Sequence, residues 1–247
     1  MSLRPFWQYY GGKWRSVPRY PRPLHHTIIE PFAGAAGYAT RYHKRRIILV
    51  EKYPRIARLW RYLIRVSASE IMSLPVDIDT VEDLKACEEA RDLVGFWMNT
   101  GASRPCKTLS KWGRQRAIND PNNTIFWGEK ARARIAHQVD QIRHWTVIEG
   151  DSTTSPDIKA SWFIDPPYQD KGCHYVCGSS GIDFEALGQW CKSRQGQVIV
   201  CEGPGAQWLP FKALFDLSTA RSKQGQAIKR TEMIWTSGCL NQGDLFL

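Results

Sequence analysis

The chain has 247 residues, of which 43% are hydrophobic, so it can bury one sizeable core, and a disordered or repetitive architecture is not expected. Its 34 Lys and Arg outnumber its 24 Asp and Glu, and the resulting formal charge of +10 makes a polyanion the first partner to consider. Seven cysteines in a chain of this length indicate reduced thiols, and no apolar run reaches the roughly 18 residues needed to span a bilayer.

The first third of the chain has the pattern of a β-α-β unit. Residues 27–30 and 47–50 are short β-rich runs, and residues 35–46 between them have helical composition. Pro54 then begins a segment with apolar residues at helical spacing. Proline is tolerated in the first turn of a helix, so this segment is predicted to be a helix that starts at Pro54. This order predicts a crossover helix after each of the first two strands.

Further along, strands alternate with helices again. The predicted strands are 146–149, 162–164, 197–201, 214–218 and 231–236, and the predicted helices are 129–144 and 183–193, with Asp183 as a natural N-cap. Alternation of this kind predicts a mostly parallel, doubly wound α/β sheet of seven strands. The last two strands have no helix between them, which indicates an antiparallel hairpin at one edge.

Residues 66–135 interrupt the alternation. They begin with an acidic, helical part (81–98) and continue with a basic, loop-rich part, so we expect an inserted subdomain, with residues 1–65 and 136–247 forming the main domain. The charge follows this division: residues 1–65 carry +12, 66–99 carry −6, 100–134 carry +6 and the remainder −2.

The basic part of the insertion interleaves its charges with aromatic residues, a composition typical of surfaces that contact phosphates and stack on bases. We expect nucleic-acid contacts from Lys111, Arg114 and Arg116, mainly to phosphates, with Trp97, Trp112 and Trp127 as aromatic candidates. Trp60, Trp162, Trp190 and Trp235 lie in periodic elements and are expected in the core.

Two features at strand ends indicate a nucleoside ligand. A glycine turn containing Gly34 and Gly37 follows the first strand, where a ligand can approach the backbone closely. Glu51 follows the second strand, 17 residues beyond Gly34, and a carboxylate there can accept hydrogen bonds from both ribose hydroxyls. Each feature alone is weak, but together they indicate a nucleoside without naming it.

The sequence Asp165-Pro-Pro-Tyr168 follows the apolar strand 162–164. Two prolines stiffen the turn and remove two backbone donors, which leaves carbonyl oxygens that only accept, beside a carboxylate and an aromatic ring. This set of groups suits an exocyclic amino group next to a base that stacks on the ring.

These motifs, in this order, resemble those of the Dam-like (D12 class) adenine-N6-specific DNA methyltransferases in the α arrangement. Tyr9-Tyr-Gly-Gly-Lys13 resembles the family's amino-terminal cofactor segment, Glu30 to Gly37 its Pro-Phe-x-Gly turn, and residues 229–235 its late strand. The resemblance implies a Rossmann-like, seven-stranded S-adenosylmethionine-dependent methyltransferase sheet with an inserted target-recognition subdomain. It also implies transfer of methyl from S-adenosylmethionine to N6 of an adenine flipped out of double-stranded DNA, in the cytoplasm of a bacterium or a phage-infected host.

By this resemblance, Asp165, Pro166, Pro167 and Tyr168 are the catalytic residues. The resemblance assigns Tyr9 and Lys13 to the methionine part of the cofactor, Glu51 to its ribose and Asp151 to its adenine. The remaining implied cofactor residues are Tyr10, Gly11, Gly12, Pro31, Phe32, Gly34, Gly37 and Asp165. The chain departs from the family at Ala36, where glycine is usual, and residues 101–127 match no recognition segment.

Several alternatives stay open. The catalytic tetrad Asp165-Pro-Pro-Tyr168 serves exocyclic amines generally. Methylation of cytosine N4 in DNA or of adenine in RNA is therefore an alternative, and an inactive DNA-binding relative is another. Cys173-His174-x-x-Cys177 is an incomplete tetrahedral set, and no metal is expected.

Overall fold

The computed structural model describes residues 2–111, 113–115, 125–170, 175–221 and 227–237. Trp112, Arg116, Cys173 and His174, which the sequence singled out, lie outside these ranges. Within them, no helix combines the length and the apolar character needed to cross a bilayer.

The described residues build an α/β fold around a seven-stranded, mostly parallel sheet. In chain order the strands are β1 (Thr27–Glu30), β2 (Arg46–Glu51), β3 (Thr146–Glu149), β4 (Ala160–Ile164), β5 (Gly196–Glu202), β6 (Lys212–Arg221) and β7 (Ala227–Thr236). Across the sheet the order is β3-β2-β1-β4-β5-β7-β6. The first five strands run parallel, and β7 is antiparallel to both β5 and β6. The predicted terminal hairpin is confirmed, and the sheet is compatible with a Rossmann-like fold.

Six α-helices are described, and they lie in the connections β1–β2, β2–β3 and β4–β5. They are α1 (Gly37–Arg41), α2 (Pro54–Arg65), α3 (Ala68–Ser73), α4 (Glu88–Gly95), α5 (Glu129–Val139) and α6 (Phe184–Ser193). Asp183 caps α6 by accepting a hydrogen bond from the Ala186 amide, as its position predicted.

Alternate residues of each central strand face two different hydrophobic clusters. Ile28 and Phe163 join the cluster that contains Trp60, whereas Ile29 and Trp162 join a second cluster on the opposite face. Both faces of the sheet are therefore covered, which is the usual state of parallel strands and explains why their sequences read as continuous apolar runs. The expected core positions of Trp60 and Trp162 are confirmed, while Trp190 and Trp235 are partly buried.

Three predicted helices are too long. The predicted helix 129–144 ends at Val139, where a 3₁₀ turn (Asp140–Ile142) follows. Helix α1 spans only Gly37–Arg41 rather than 35–46, because Ala36 has a left-handed backbone (φ 46°) that no helix can include, and β2 already begins at Arg46. The predicted helix 81–98 is a 3₁₀ turn at Val81–Asp83 followed by α4, because the extended Leu84 breaks the helical run. Helix α3 was missed, although Ser67 and Glu70 form the capping box that marks its start.

The acidic segment 81–98 packs against residues from the first third of the chain. Leu93, Phe96 and Trp97 share one hydrophobic cluster with Trp7 and Trp60. Long-range packing of this kind buries aromatic side chains that composition alone would leave on the surface.

The interpretation of Trp97 and Trp127 as base-stacking residues is wrong. They are 2% and 4% exposed, and their indole N–H groups donate to the carbonyls of Phe6 and Pro75. Both side chains therefore lie at a buried interface rather than on a loop-rich surface.

Candidate active site

A cavity of about 610 Å³ opens at the edge of the sheet where the parallel strands end. Strands β1 and β4 are neighbours here, and the chain leaves them toward opposite ends of the sheet, which is the topological switch point where open α/β sheets bind ligands. The cavity's volume lies in the range typical of small-molecule sites. Carboxylates stand at the ends of all five parallel strands: Glu30, Glu51, Glu149, Asp165 and Glu202.

The amino-terminal segment forms one wall of this cavity. Residues Tyr9 to Lys13 all line it. A Cβ atom on Gly37 would lie 2.7 Å from the Trp14 amide nitrogen, so only glycine allows the start of α1 to pack directly on this segment. Gly11 has φ +72°, and a Cβ there would collide with the Tyr175 hydroxyl. These two glycines bring Lys13 to the carboxyl ends of strands that are far away in sequence.

The turn between β1 and α1 has an unusual backbone. Ala36 is the one non-glycine residue with positive φ in the described part of the chain. A left-handed conformation disfavours residues with a Cβ, which is a physical reason why glycine suits this position. The Ala36 amide is held by the Ala33 carbonyl at 2.6 Å, and the Gly34 carbonyl accepts the Trp60 indole N–H at 2.8 Å.

Glu51 joins the glycine turn to the end of β2. Its Oε2 accepts the Gly34 amide and its Oε1 accepts the Tyr53 amide, each at 2.8 Å. Burial raises the pKa of Glu51, and these amide hydrogen bonds oppose the rise. Each carboxylate oxygen has a second lone pair, so the group can still accept hydrogen bonds from a ligand in the cavity.

Asp165 pairs with Lys13 at the end of β4. The Lys13 Nζ lies 2.9 Å from Oδ1 and 3.0 Å from Oδ2, and the two side chains are 10% and 18% exposed. Burial raises the pKa of Asp165 to about 6, and the Lys13 ammonium limits that rise. For Lys13, burial acts to lower the pKa, but Asp165 and Glu232 together outweigh it and raise the pKa. At neutral pH the pair is therefore a carboxylate and an ammonium.

Tyr168 lies beside this pair. The Lys13 Nζ is 4.8 Å from the centroid of the Tyr168 ring, and the Tyr168 hydroxyl donates to Glu232 Oε1. Asp165 and Pro167 line the cavity, whereas Tyr168, Glu232 and the buried Pro166 do not. The tetrad thus has members that border the cavity and members that lie outside it.

The structure gathers nearly all predicted cofactor residues around this cavity. Tyr9, Tyr10, Gly11, Gly12, Lys13, Phe32, Gly34, Gly37, Glu51, Asp151 and Asp165 line it. Pro31 is buried and does not. Asp151 accepts hydrogen bonds from the Thr153 hydroxyl and amide, which lower its pKa, and so caps the turn Ser152–Thr154.

Sequence reasoning missed several lining residues, among them Glu30, Tyr175, Cys177 and Asp183. Glu30 could have been found, because it ends β1 immediately before the glycine turn. Its carboxylate accepts the Ala39 amide, it is 3% exposed, and burial raises its pKa to about 8. No sequence motif marked Tyr175 as a residue of the site. It reaches the site through ring contacts with Tyr9 and Tyr10.

Two exposed ion pairs join the basic residues after position 100 to acidic residues before it. Lys107 pairs with Glu82 at 2.6 Å, and Arg114 pairs with Asp79 at 3.2 Å. Lys111 and Arg114 are both exposed. Exposed ion pairs of this kind contribute little stability.

Cys177 lines the cavity, while its predicted partners Cys173 and His174 are not described. Among the residues that are described, no three His, Cys, Asp or Glu side chains are grouped so as to hold a metal ion. Cys191 and Cys201 are buried.

The fold and the site together define an α/β protein, compatible with a Rossmann-like fold, that has a cavity at the switch point of its sheet. Comparison of the chain with protein-family models and with curated protein sequences finds no match.

Proposed function

We propose that this protein is an S-adenosylmethionine-dependent DNA methyltransferase that modifies the exocyclic N6 of adenine. The single observation that carries the proposal is the position of Asp165. Its carboxylate borders the nucleoside-sized cavity. Pro166 and Pro167 connect Asp165 along the chain to Tyr168, whose aromatic ring lies outside that cavity. A methyl donor on one side and a base on the other would meet at this carboxylate. The seven-stranded sheet is consistent with a methyltransferase sheet.

The lining of the cavity fits S-adenosylmethionine. Glu51 offers carboxylate lone pairs for ribose hydroxyls at the end of β2. Tyr9, Tyr10 and Phe32 supply aromatic surface for the uncharged parts of the molecule. When bound, this cofactor supplies a methyl group on a sulfonium, which is activated for transfer to nitrogen without a covalent intermediate on the enzyme.

The residues of the tetrad would orient the acceptor nitrogen. An ionised carboxylate only accepts hydrogen bonds, as does the carbonyl of Pro166, so the two can take both hydrogens of an amino group. This arrangement favours a pyramidal nitrogen whose lone pair is free to take the methyl group. As the nitrogen–methyl bond formed, the methyl–sulfur bond would break, S-adenosylhomocysteine would leave, and Asp165 would accept the proton that the nitrogen gives up. Lys13 keeps Asp165 ionised despite its burial. This role for Lys13 differs from the contact with the methionine part that the resemblance implies.

Double-stranded DNA is the proposed partner. An adenine amino group cannot reach Asp165 from within a duplex, so the base must be flipped out, and Tyr168 would stack on it. The excess basic charge supplies sequence-independent affinity for the phosphates. Residues 66–135 are the proposed target-recognition insertion.

The test is transfer of labelled methyl from S-adenosylmethionine to unmethylated DNA and to RNA, followed by nucleoside analysis. We expect N6-methyladenine in DNA. The variant Asp165→Ala should lose transfer by at least about a thousandfold while it still binds the cofactor in calorimetry. Folding of the variant is checked by its thermal unfolding.

The alternatives give other results. Methylcytosine as the only product, or label in RNA alone, would replace the proposed substrate. DNA binding without cofactor binding would identify a non-catalytic relative. Normal turnover by Asp165→Ala would overturn the mechanism.

A further inference from the structure

Glu232 is a buried carboxylate that the mechanism above leaves unused. It lies on β7, which runs antiparallel to β5, and Met233 is the partner of Glu202 at the end of β5. Glu232 therefore stands just beyond the edge where the parallel strands end. It shares the buried side of β7 with Ile234, and the two residues are 4% and 2% exposed.

Its carboxylate touches three groups around the tetrad. Oε1 accepts the Tyr20 hydroxyl at 2.6 Å and the Tyr168 hydroxyl, and the Lys13 Nζ lies 4.0 Å away. A buried carboxylate is costly unless it is paired and hydrogen-bonded, and these contacts satisfy that need. The carboxylate thus links the aromatic ring of the tetrad to the lysine that pairs with Asp165.

We propose that Glu232 is a positioning residue for methyl transfer, which holds the Tyr168 ring by its hydroxyl and holds Lys13 against Asp165. This inference rests on the proposed function. A tyrosine whose hydroxyl is anchored at a charged acceptor has its ring plane fixed, so its face is already oriented for a flipped base. Glu232 does not line the cavity, so its loss should affect transfer to DNA rather than binding of the cofactor.

The experiment compares Glu232→Gln with the wild type. Glutamine keeps an acceptor oxygen but loses the charge that holds both the hydroxyl and the ammonium. We expect kcat to fall about tenfold or more, while the Kd of S-adenosylmethionine in calorimetry stays within about twofold. In a Tyr168→Phe background the same change should cost much less, because the anchored hydroxyl is already gone. Equal losses in both backgrounds would overturn the proposal.

A pH profile separates positioning from a purely structural effect. Titratable groups facing Asp165 are Lys13, Tyr20, Glu30, Tyr168, Tyr175, Cys201, Glu202 and Glu232. The charge of Glu232 raises the pKa of Asp165, so loss of that charge with Lys13 still in place would move the acid limb of activity to lower pH. If Glu232 holds Lys13 against Asp165, Glu232→Gln releases the ammonium that lowers this pKa, and we expect the acid limb to move to higher pH. A limb that stays in place or moves to lower pH contradicts the proposed hold on Lys13.

Tyr20→Phe is the matched control. It removes the other hydrogen bond to Oε1 without touching Tyr168, and its kcat should stay within about twofold of the wild type. If Glu232→Gln fails to fold, Tyr168→Phe alone must show the tenfold loss, and full activity of that variant would overturn the proposal. Failure of the proposed function is seen separately, as a wild type that transfers no methyl to DNA.

Discussion

Lys13 and Asp165 are 152 residues apart in sequence, yet the Lys13 ammonium lies within 3.0 Å of both oxygens of the Asp165 carboxylate. The pair joins the amino-terminal segment to the end of β4, and both residues line the cavity. Its electrostatic effect is specific, since the ammonium limits the rise that burial imposes on the pKa of Asp165.

Removal of the Lys13 charge should shift the pH dependence of activity. In Lys13→Met the pKa of Asp165 rises above its present value of about 6, because burial then acts without a counter-ion. The proposed mechanism requires the ionised carboxylate. When the pH is lowered, the variant should therefore lose activity at a higher pH than the wild type does. We expect the acid limb of the kcat/KM profile to move upward, and Lys13→Arg to stay near the wild type. An identical profile in Lys13→Met would contradict this role.

Glu51 should control cofactor affinity. Glu51→Gln places an amide N–H₂ group against either the Gly34 or the Tyr53 amide, so one hydrogen bond is lost and one ligand acceptor disappears. The Kd of S-adenosylmethionine should rise about tenfold or more in calorimetry. Glu149→Gln is the matched control. Glu149 also ends a strand, but it pairs with Arg61 outside the cavity, so its variant should bind like the wild type.

Glu30 should make stability depend on pH. Its folded-state pKa of about 8 lies above its ordinary value of 4.5, so folding favours the protonated form. The wild type therefore loses stability as pH rises from about 4.5 to 8, by a few kcal/mol in order of magnitude. Glu30→Gln mimics the protonated acid. It should unfold like the wild type at pH 5 and at a higher temperature than the wild type at pH 9. Equal behaviour at both pH values would show that Glu30 is not buried as a neutral acid.

Gly37→Ala tests the packing of α1 on the amino-terminal segment. The added methyl would meet the backbone of Lys13 and Trp14, and overpacking of this kind typically costs about 1 to 3 kcal/mol. Both the melting temperature and cofactor affinity should fall. Gly181→Ala controls for stability alone, because a Cβ there meets no atom within 4 Å. A Gly37→Ala protein as stable as the wild type would refute the close packing.

Lys111 and Arg114 should contribute to DNA affinity through phosphates. Replacing both by Ala should weaken binding to any duplex and reduce the salt dependence, by a slope of about 1 for each phosphate that is no longer neutralised. Lys192→Ala is the control, since Lys192 is exposed in the last turn of α6, outside the insertion. Fluorescence anisotropy at several salt concentrations measures the slopes, and unchanged slopes in the double variant would place the DNA elsewhere.

Strand positions and most cavity residues could be predicted from the sequence, because they depend on local pattern. All seven strands lie where β-rich runs predicted them, and Glu51 and Asp165 follow their strands directly. Helix limits were less accurate. The left-handed Ala36 shortens α1, and nothing in the local composition encodes that conformation.

Local sequence patterns predict a mostly parallel α/β sheet with reactive side chains at its carboxyl edge, because strand periodicity and the residues that follow each strand are local properties. Which distant side chains meet at that edge depends on the packing of the folded chain. Long-range packing buried Trp97 and Trp127, which composition had favoured as surface residues. The antiparallel direction of β7 brought Glu232 to Tyr168, and the fit of Gly37 against Trp14 brought Lys13 to Asp165. Contacts between remote segments depend on how the elements pack, and no local pattern contains that information.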